Sequence, residues 1–366
     1  MIVADLFEAW RFWPALFTAF EPACGPPPPL ATLDSVLLEL PTMELRVRAA
    51  DIGRGGVPVL IVAPFALHDA AIADFAPGFS LAAVLEAAGP VALTRWRPAS
   101  SHMRLLNIDP YLAELNVAVD ELGGRVALVG LCQGGWLAAV YAARFPKKAA
   151  ALALAGAPID LAAAPSQILD HVAATPTVLL QSYLAAFGGL APGEHRRMVW
   201  SRDSLDATAR QALQREPTPA LQAAFDRWNA YTLALPGPFL SEATEWLFRE
   251  NRLARGCFPA LGRLCDLAAI EAPIFALMAR GDIIIPPPQT MAIQTLCPRS
   301  RVRARLAEGV HLSLFMGADM LAGPWREIAE DLAKALQPPR AGARPARAAV
   351  TFRRSRSSQS HARDAS

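Results

Sequence analysis

Residues 125–145 read Arg-Val-Ala-Leu-Val-Gly-Leu-Cys-Gln-Gly-Gly-Trp-Leu-Ala-Ala-Val-Tyr-Ala-Ala-Arg-Phe. An apolar run, Val126 to Val129, is cut by Gly130, and a helix-like segment follows Gly134. This pattern predicts a strand, a sharp turn and a helix, with Cys132 at the tip. Gly130 and Gly134 leave room for a turn whose central residue holds strained dihedrals. They also let the helix pack close to the strand. Cys132 is thus a candidate nucleophile; the plainer alternative is a small buried hydrophobe.

The flanking sequence supplies a sheet for this turn. Leu45 and Val47 alternate with charged neighbours, which predicts an outer strand near Met43. Val57 to Ala63, Val91 to Trp96, Ala149 to Ala155 and Pro273 to Ala279 are apolar runs of the kind found in buried parallel strands. A last strand is predicted at Val302 to Leu306. Helices fall between them: one opened by Ser80, one capped by Asp109 with Pro110 in its first turn, and one started by Pro324. This alternation argues an α/β fold with a parallel sheet covered on both faces.

The rhythm breaks after Asp160. Residues 161–270 show helical pieces and no buried-type strand. A stretch that long is far beyond an ordinary connection of about 4–6 residues, so it reads as a helical cap over the site. The predicted organisation is therefore an aromatic helix and Pro-rich linker at 1–42, and a core at 43–160 and 271–336. The cap takes 161–270 and a basic tail 337–366. In 1–20, Val3, Leu6, Trp10, Trp13, Phe17 and Phe20 form a helical stripe interrupted by Pro14. Such a stripe packs on its own domain or a partner helix, or meets a lipid or polymer surface.

Composition narrows the function classes. With 366 residues, 53% hydrophobic, the chain can bury a large core. No apolar run approaches the ~18 residues of a membrane span. Asp5, Glu8 and Arg11 interrupt an N-terminus that lacks the basic start of a secretory signal. The five cysteines form no Cys-x-x-Cys pair, which predicts free thiols, a cytoplasmic setting and no metal site. The tail holds seven Arg and one Asp, against 28 basic and 32 acidic residues elsewhere. That balance predicts a solvated, disordered tail and gives nucleic-acid binding no support in the folded part.

Cys132, Asp282 and His311 each fall just after a predicted strand, where open parallel sheets gather their active residues. Nucleophile, acid, base is the chain order of the α/β-hydrolase fold, here with a large cap insertion. A thiol with a free pKa of about 8.5 needs a nearby imidazole and a helix N-terminus to ionise near neutral pH. His311 would accept that proton, and Asp282 would hold the ring's tautomer and charge. The N–H of Gln133 and the loop at Phe65 and Ala66 would form the oxyanion hole. Asp160 is an alternative acid or a helix cap, and His68 is a candidate lining residue. Trp96 and Trp136 read as packing.

Gly-Leu-Cys-Gln-Gly-Gly at 130–135 and Ala-Gly-Ala-Pro-Ile-Asp at 155–160 resemble the polyhydroxyalkanoate synthases, especially their short, two-subunit class. Asp-Phe-Ala-Pro-Gly-Phe-Ser-Leu at 74–81, Thr-Arg-Trp at 94–96, Trp-Leu-Phe-Arg-Glu-Asn-Arg-Leu at 246–253 and Asp-Leu-Ala-Ala-Ile-Glu-Ala-Pro at 266–273 are similar too. The likeness covers roughly residues 45–335. Intracellular polyhydroxybutyrate depolymerases share the layout and the Cys. The resemblance implies a hydroxyacyl group carried on Cys132, delivered from a 3-hydroxyacyl-coenzyme A thioester with no resident cofactor. It also implies a second synthase subunit or a homodimer, and a polyester granule surface as partner. Three departures matter. Ile283 stands where synthases usually have His, and Val310 where they usually have Gly. Phe65 and Ala66 replace polar loop residues. Synthesis of polyester, its hydrolysis, and a weakly catalytic granule-associated role all stay open on this reading.

Overall fold

In the computed structural model, residues 26–201 and 218–337 are described. The aromatic stripe and nearly all of the basic tail lie outside the described residues. Eight strands form one sheet: β1 Ser35–Glu39, β2 Met43–Val47, β3 Val59–Val62, β4 Val91–Trp96, β5 Val126–Leu131, β6 Ala149–Ala155, β7 Ile274–Ala279 and β8 Val302–Ala307. Their spatial order is β1-β2-β4-β3-β5-β6-β7-β8. β1 pairs antiparallel with β2, and β2 with β4; the remaining pairs are parallel. Every residue of β3, β5, β6 and β7 is buried. Both faces of the sheet are therefore covered, as their unbroken apolar sequences require.

Two helix pairs pack on this sheet. α2 (Ile108–Glu121) lies beside α3 (Gln133–Arg144), and α1 (Leu81–Leu85) touches α4 (Arg326–Leu336). The Ser80 hydroxyl accepts from the Ala83 N–H at 2.9 Å, as its sequence position predicts. Trp96 and Trp136 are fully buried packing residues.

Several local expectations change. β1 lies in what reads as linker in the sequence. Asp109 does not cap α2; Asn107 holds that position, and the cap segment supplies the acceptor. Glu242 accepts from the Ile108 N–H at 3.0 Å and from Asn107 at 3.1 Å. Asp109 instead accepts from the Leu261 N–H at 2.7 Å. Pro324 does not start the closing helix but sits inside the π-helical segment Leu321–Trp325 that runs into α4.

Residues 161–249 carry the cap helices, including Gln167–Ala174, Thr177–Ala186, Gly193–Ser201, Pro219–Ala230 and Gly237–Glu242. One small antiparallel pair, Leu190–Ala191 with Leu235–Pro236, lies among them. The hairpin Phe258–Ala260 and Arg263–Cys265 belongs with the core, because it packs on α3. Its Phe258 ring lies 5.5 Å from that of Trp136.

Register places the site. Val62 pairs with Gly130, Leu131 with Ala155, and Leu277 with Ala155. The loops leaving β3, β5, β6 and β7 thus emerge at one edge of the sheet. α3 lies so near β3 that a Cβ on Gly134 would meet the Val62 and Ala63 carbonyl oxygens at 2.1 and 2.6 Å. Backbone cannot yield as a flexible side chain can. Gly134→Ala should therefore destabilise the fold by about 3 kcal/mol, read as a lower denaturation midpoint. An unchanged midpoint would show that α3 can move away from β3 at no cost.

Candidate active site

Cys132 has φ 46° and ψ −117°, a region that L-residues with side chains rarely occupy. Such a conformation costs on the order of 1–3 kcal/mol and persists only where neighbours over-determine it. Here the Cys132 N–H donates to the Ala155 carbonyl at 2.9 Å, and the Gly135 N–H donates to the Cys132 carbonyl at 2.8 Å. The strain lifts the side chain off the end of β5 and sets it at the N-terminus of α3. There the Gln133 N–H, as the first of the helix, has no intrahelical acceptor. The Gln133 side chain faces elsewhere and accepts from Trp136 Nε1 at 2.7 Å.

His311 Nδ1 lies 2.7 Å from Asp282 Oδ2, and both residues are buried. The other Asp282 oxygen accepts from the Ile284 and Ile285 N–H groups at 3.0 and 2.9 Å. The carboxylate is thereby held in one orientation. With Nδ1 engaged, Nε2 is the nitrogen left to face the thiol. Burial pushes the imidazole pKa down, but the Asp282 carboxylate and the Cys132 sulfur outweigh it and hold it well above the usual 6.5. Phe315 packs edge-on against the ring at 5.2 Å.

Gly156, at φ 50°, floors the imidazole. A Cβ there would come within 3.2 Å of His311 Cε1 and 2.9 Å of Leu314 Cδ1. The sequence marks Gly156 only as part of the Ala-Gly-Ala-Pro stretch and gives no hint of its use.

These groups open into a cavity of about 570 Å³ between the core and the cap. Pro64, Phe65 and Ala66 border it beside Cys132, Gln133 and His311. The Phe65 side chain points away into an aromatic cluster, stacked on Tyr111 at 4.8 Å and 5.0 Å from Phe239. Only its backbone can serve the site. Ala63 is fixed from beneath: its carbonyl accepts from Trp96 Nε1 at 2.8 Å and its N–H donates to Thr94 Oγ1 at 3.0 Å.

His68 lines the cavity as expected. Burial pulls its pKa down to about 4, so it is neutral near pH 7. Asp160 is not brought into the site. It caps the turn Leu161–Ala163, accepting from the Ala162 N–H at 3.0 Å, and it binds Asn251 at 2.7 Å. Its place after β6 made it a rival acid, but its short side chain is used locally.

The cap contributes lining residues that carry no sequence signal, among them Arg196, Arg197, Trp228 and His171. Ile283 and Val310 also face the cavity. The site is therefore mostly apolar, with a thiol and imidazole at its base.

A family model described as the alpha/beta hydrolase fold matches residues 96–316, more than half of the chain, and the chain belongs to that family. Within it, the chain is similar to proteins named poly(3-hydroxyalkanoate) polymerase subunit PhaC. It is 22% identical over 295 residues to one from Haloferax mediterranei, covering 75% of this chain and 58% of that protein. It is 26% identical over 265 residues to one from Synechocystis sp., covering 67% of this chain and 68% of that protein. The chain thus spans little more than half the length of the first of these relatives. A solved monoacylglycerol lipase from Paleococcus ferrophilus superposes with a TM-score of 0.50 at 16% identity, over 76% of this chain and 94% of that one. At that identity the likeness concerns the fold.

The electrostatics give a direct test. Removing the Asp282 charge should lower the His311 pKa. In a titration of the His311 ring by NMR, Asp282→Asn should show its midpoint at lower pH than the wild type. The sign for stability follows: because the folded pKa is raised, protonated His311 favours the folded chain. That contribution is complete below the unfolded value of about 6.5 and is lost as pH rises through the folded one. A His311 midpoint unmoved by Asp282→Asn would contradict this assignment.

Proposed function

We propose that the protein is a cysteine-dependent acyltransferase of polyhydroxyalkanoate metabolism, of the synthase type. The observation that carries this reading is the strained Cys132 beside the buried His311–Asp282 pair. His311 accepts the Cys132 proton, and the thiolate attacks the carbonyl carbon of a 3-hydroxyacyl thioester. The tetrahedral oxyanion takes hydrogen bonds from the Gln133 N–H and from the backbone at Phe65 and Ala66. Collapse expels the coenzyme A thiol, which leaves with a proton from the imidazolium. The hydroxyacyl group then rests on Cys132 as a new thioester, so little energy is lost in the exchange. His311 next deprotonates the hydroxyl of an incoming chain end, which attacks the acyl-cysteine; the C–S bond breaks, the Cys132 thiolate takes back the proton from His311, and the chain becomes one unit longer. Asp282 keeps the ring in the tautomer that both steps require. The apolar walls of the cavity suit an aliphatic acyl chain.

The similarity to PhaC proteins supports the substrate class. A second subunit or a second copy of the chain, a polyester granule surface and a cytoplasmic location belong to the same proposal. No helix among the described residues is long and apolar enough to cross a membrane.

A specific observation favours a second reading. Ile283 and Val310 present apolar side chains to the cavity at two positions where the resembling synthases differ. The same three residues with water as acceptor would make a depolymerase or esterase.

Incubation of the purified protein with 3-hydroxybutyryl-coenzyme A, and separately with amorphous polyester, distinguishes the two. Polymer with free coenzyme A is the expected result; soluble hydroxyacid from polyester would replace it with the hydrolase. In either case Cys132→Ala should reduce turnover by about 10³-fold or more. Full activity in Cys132→Ala would eliminate both.

A further inference from the structure

The loop at residues 64–69 is held from above by the cap. The Ala66 carbonyl accepts from Arg196 Nη1. The Leu67 carbonyl accepts from the Leu233 N–H at 2.8 Å, and the Asp69 carbonyl from Trp228 Nε1 at 3.0 Å. His68 forms an antiparallel bridge with Thr232, and its ring lies 4.4 Å from that of Trp228. His68 Nδ1 is 3.3 Å from the Tyr231 carbonyl. All of these partners belong to the cap. Arg196 has a further role, because its Nη2 donates to the Leu233 carbonyl. One guanidinium therefore ties the loop, the helix Gly193–Ser201 and the segment after Trp228 together.

We propose that Arg196 is a positioning residue for the oxyanion hole, its forked guanidinium pinning the Ala66–Leu67 peptide plane and so restraining the turn that presents the Phe65 and Ala66 N–H groups. The inference rests on reading this loop as half of that hole. Peptide planarity makes the link physical: fixing the Ala66 carbonyl fixes the whole Ala66–Leu67 peptide, which leaves the rotations at the Ala66 Cα as the only freedom between that anchor and the Ala66 N–H. Two carbonyls at a fork's spacing suit a planar guanidinium and not the single ammonium of Lys. Burial pulls the Arg196 pKa down to about 10, which leaves it charged near neutral pH and its bonds charge-assisted.

The test compares full-length wild type, Arg196→Ala and Arg196→Lys. Hydrogen exchange over residues 64–69 reads loop order without any substrate. Turnover is measured with 3-hydroxybutyryl-coenzyme A and p-nitrophenyl butyrate, and iodoacetamide alkylation reads the Cys132–His311 pair alone. For Arg196→Ala, exchange in the loop should rise about tenfold. Its kcat should fall about 100-fold with KM within about threefold, and ethylguanidinium should restore part of it. Alkylation should stay at the wild-type rate, and Arg196→Lys should lie between the other two. Unchanged loop exchange, unchanged kcat, or equal loss of turnover and alkylation would overturn the proposal. If Arg196→Ala does not fold, Arg196→Lys decides by the same readouts. A wild type inert to both substrates while loop exchange responds would instead remove the catalytic reading of the loop.

Discussion

A helix can follow β5 and still lie against the end of β3 only where it carries no side chain. Gly134 meets that condition, with the Val62 and Ala63 carbonyls where its Cβ would be. Much of the site depends on this contact. It brings the first N–H groups of α3 beside the loop that leaves β3. It also forces the turn before α3 to be tight, and Cys132 takes up the strain at φ 46°. The thiol is lifted off the sheet towards His311. Sterics at a glycine thus set where the Cys132 thiol stands.

Around that contact, each charged or polar group is oriented by a partner with little freedom of its own. Asp282 is fixed by two backbone donors, and His311 by Asp282 and by the floor at Gly156. Ala63 is fixed by Trp96 and Thr94. The core supplies this rigidity through buried backbone and aromatic packing. The cap shares the cavity wall with the core and, through Arg196, Trp228 and Leu233, supplies the restraint on the loop opposite Gln133.

The buried strands were legible because parallel strands covered on both faces must be unbroken apolar runs, as in Ala149–Ala155. The positions of Cys132 and Asp282 were legible because each follows such a run, and that of His311 because it follows the more polar edge strand Val302–Ala307. β1 was not, since Ser35–Glu39 is half exposed at an edge and shows no clean alternation. The role of Asp109 was misread because a short acidic side chain before Pro is a good cap in isolation. Tertiary contacts gave that task to Glu242, 133 residues later in the chain than Asp109. Asp160 shows the same limit: position after a strand does not say where a carboxylate will turn. The cap's contribution was invisible, because Arg196 acts on backbone carbonyls, which any sequence possesses.

The central claim is that Cys132 carries the acyl group. Wild-type protein mixed with 3-hydroxybutyryl-coenzyme A, quenched in acid within milliseconds and mapped by peptide mass, tests it directly. One hydroxybutyryl adduct is expected, on the peptide containing Cys132, and none on Cys24, Cys257, Cys265 or Cys297. An unmodified Cys132 peptide during active turnover, or an adduct that persists in Cys132→Ala, would contradict it.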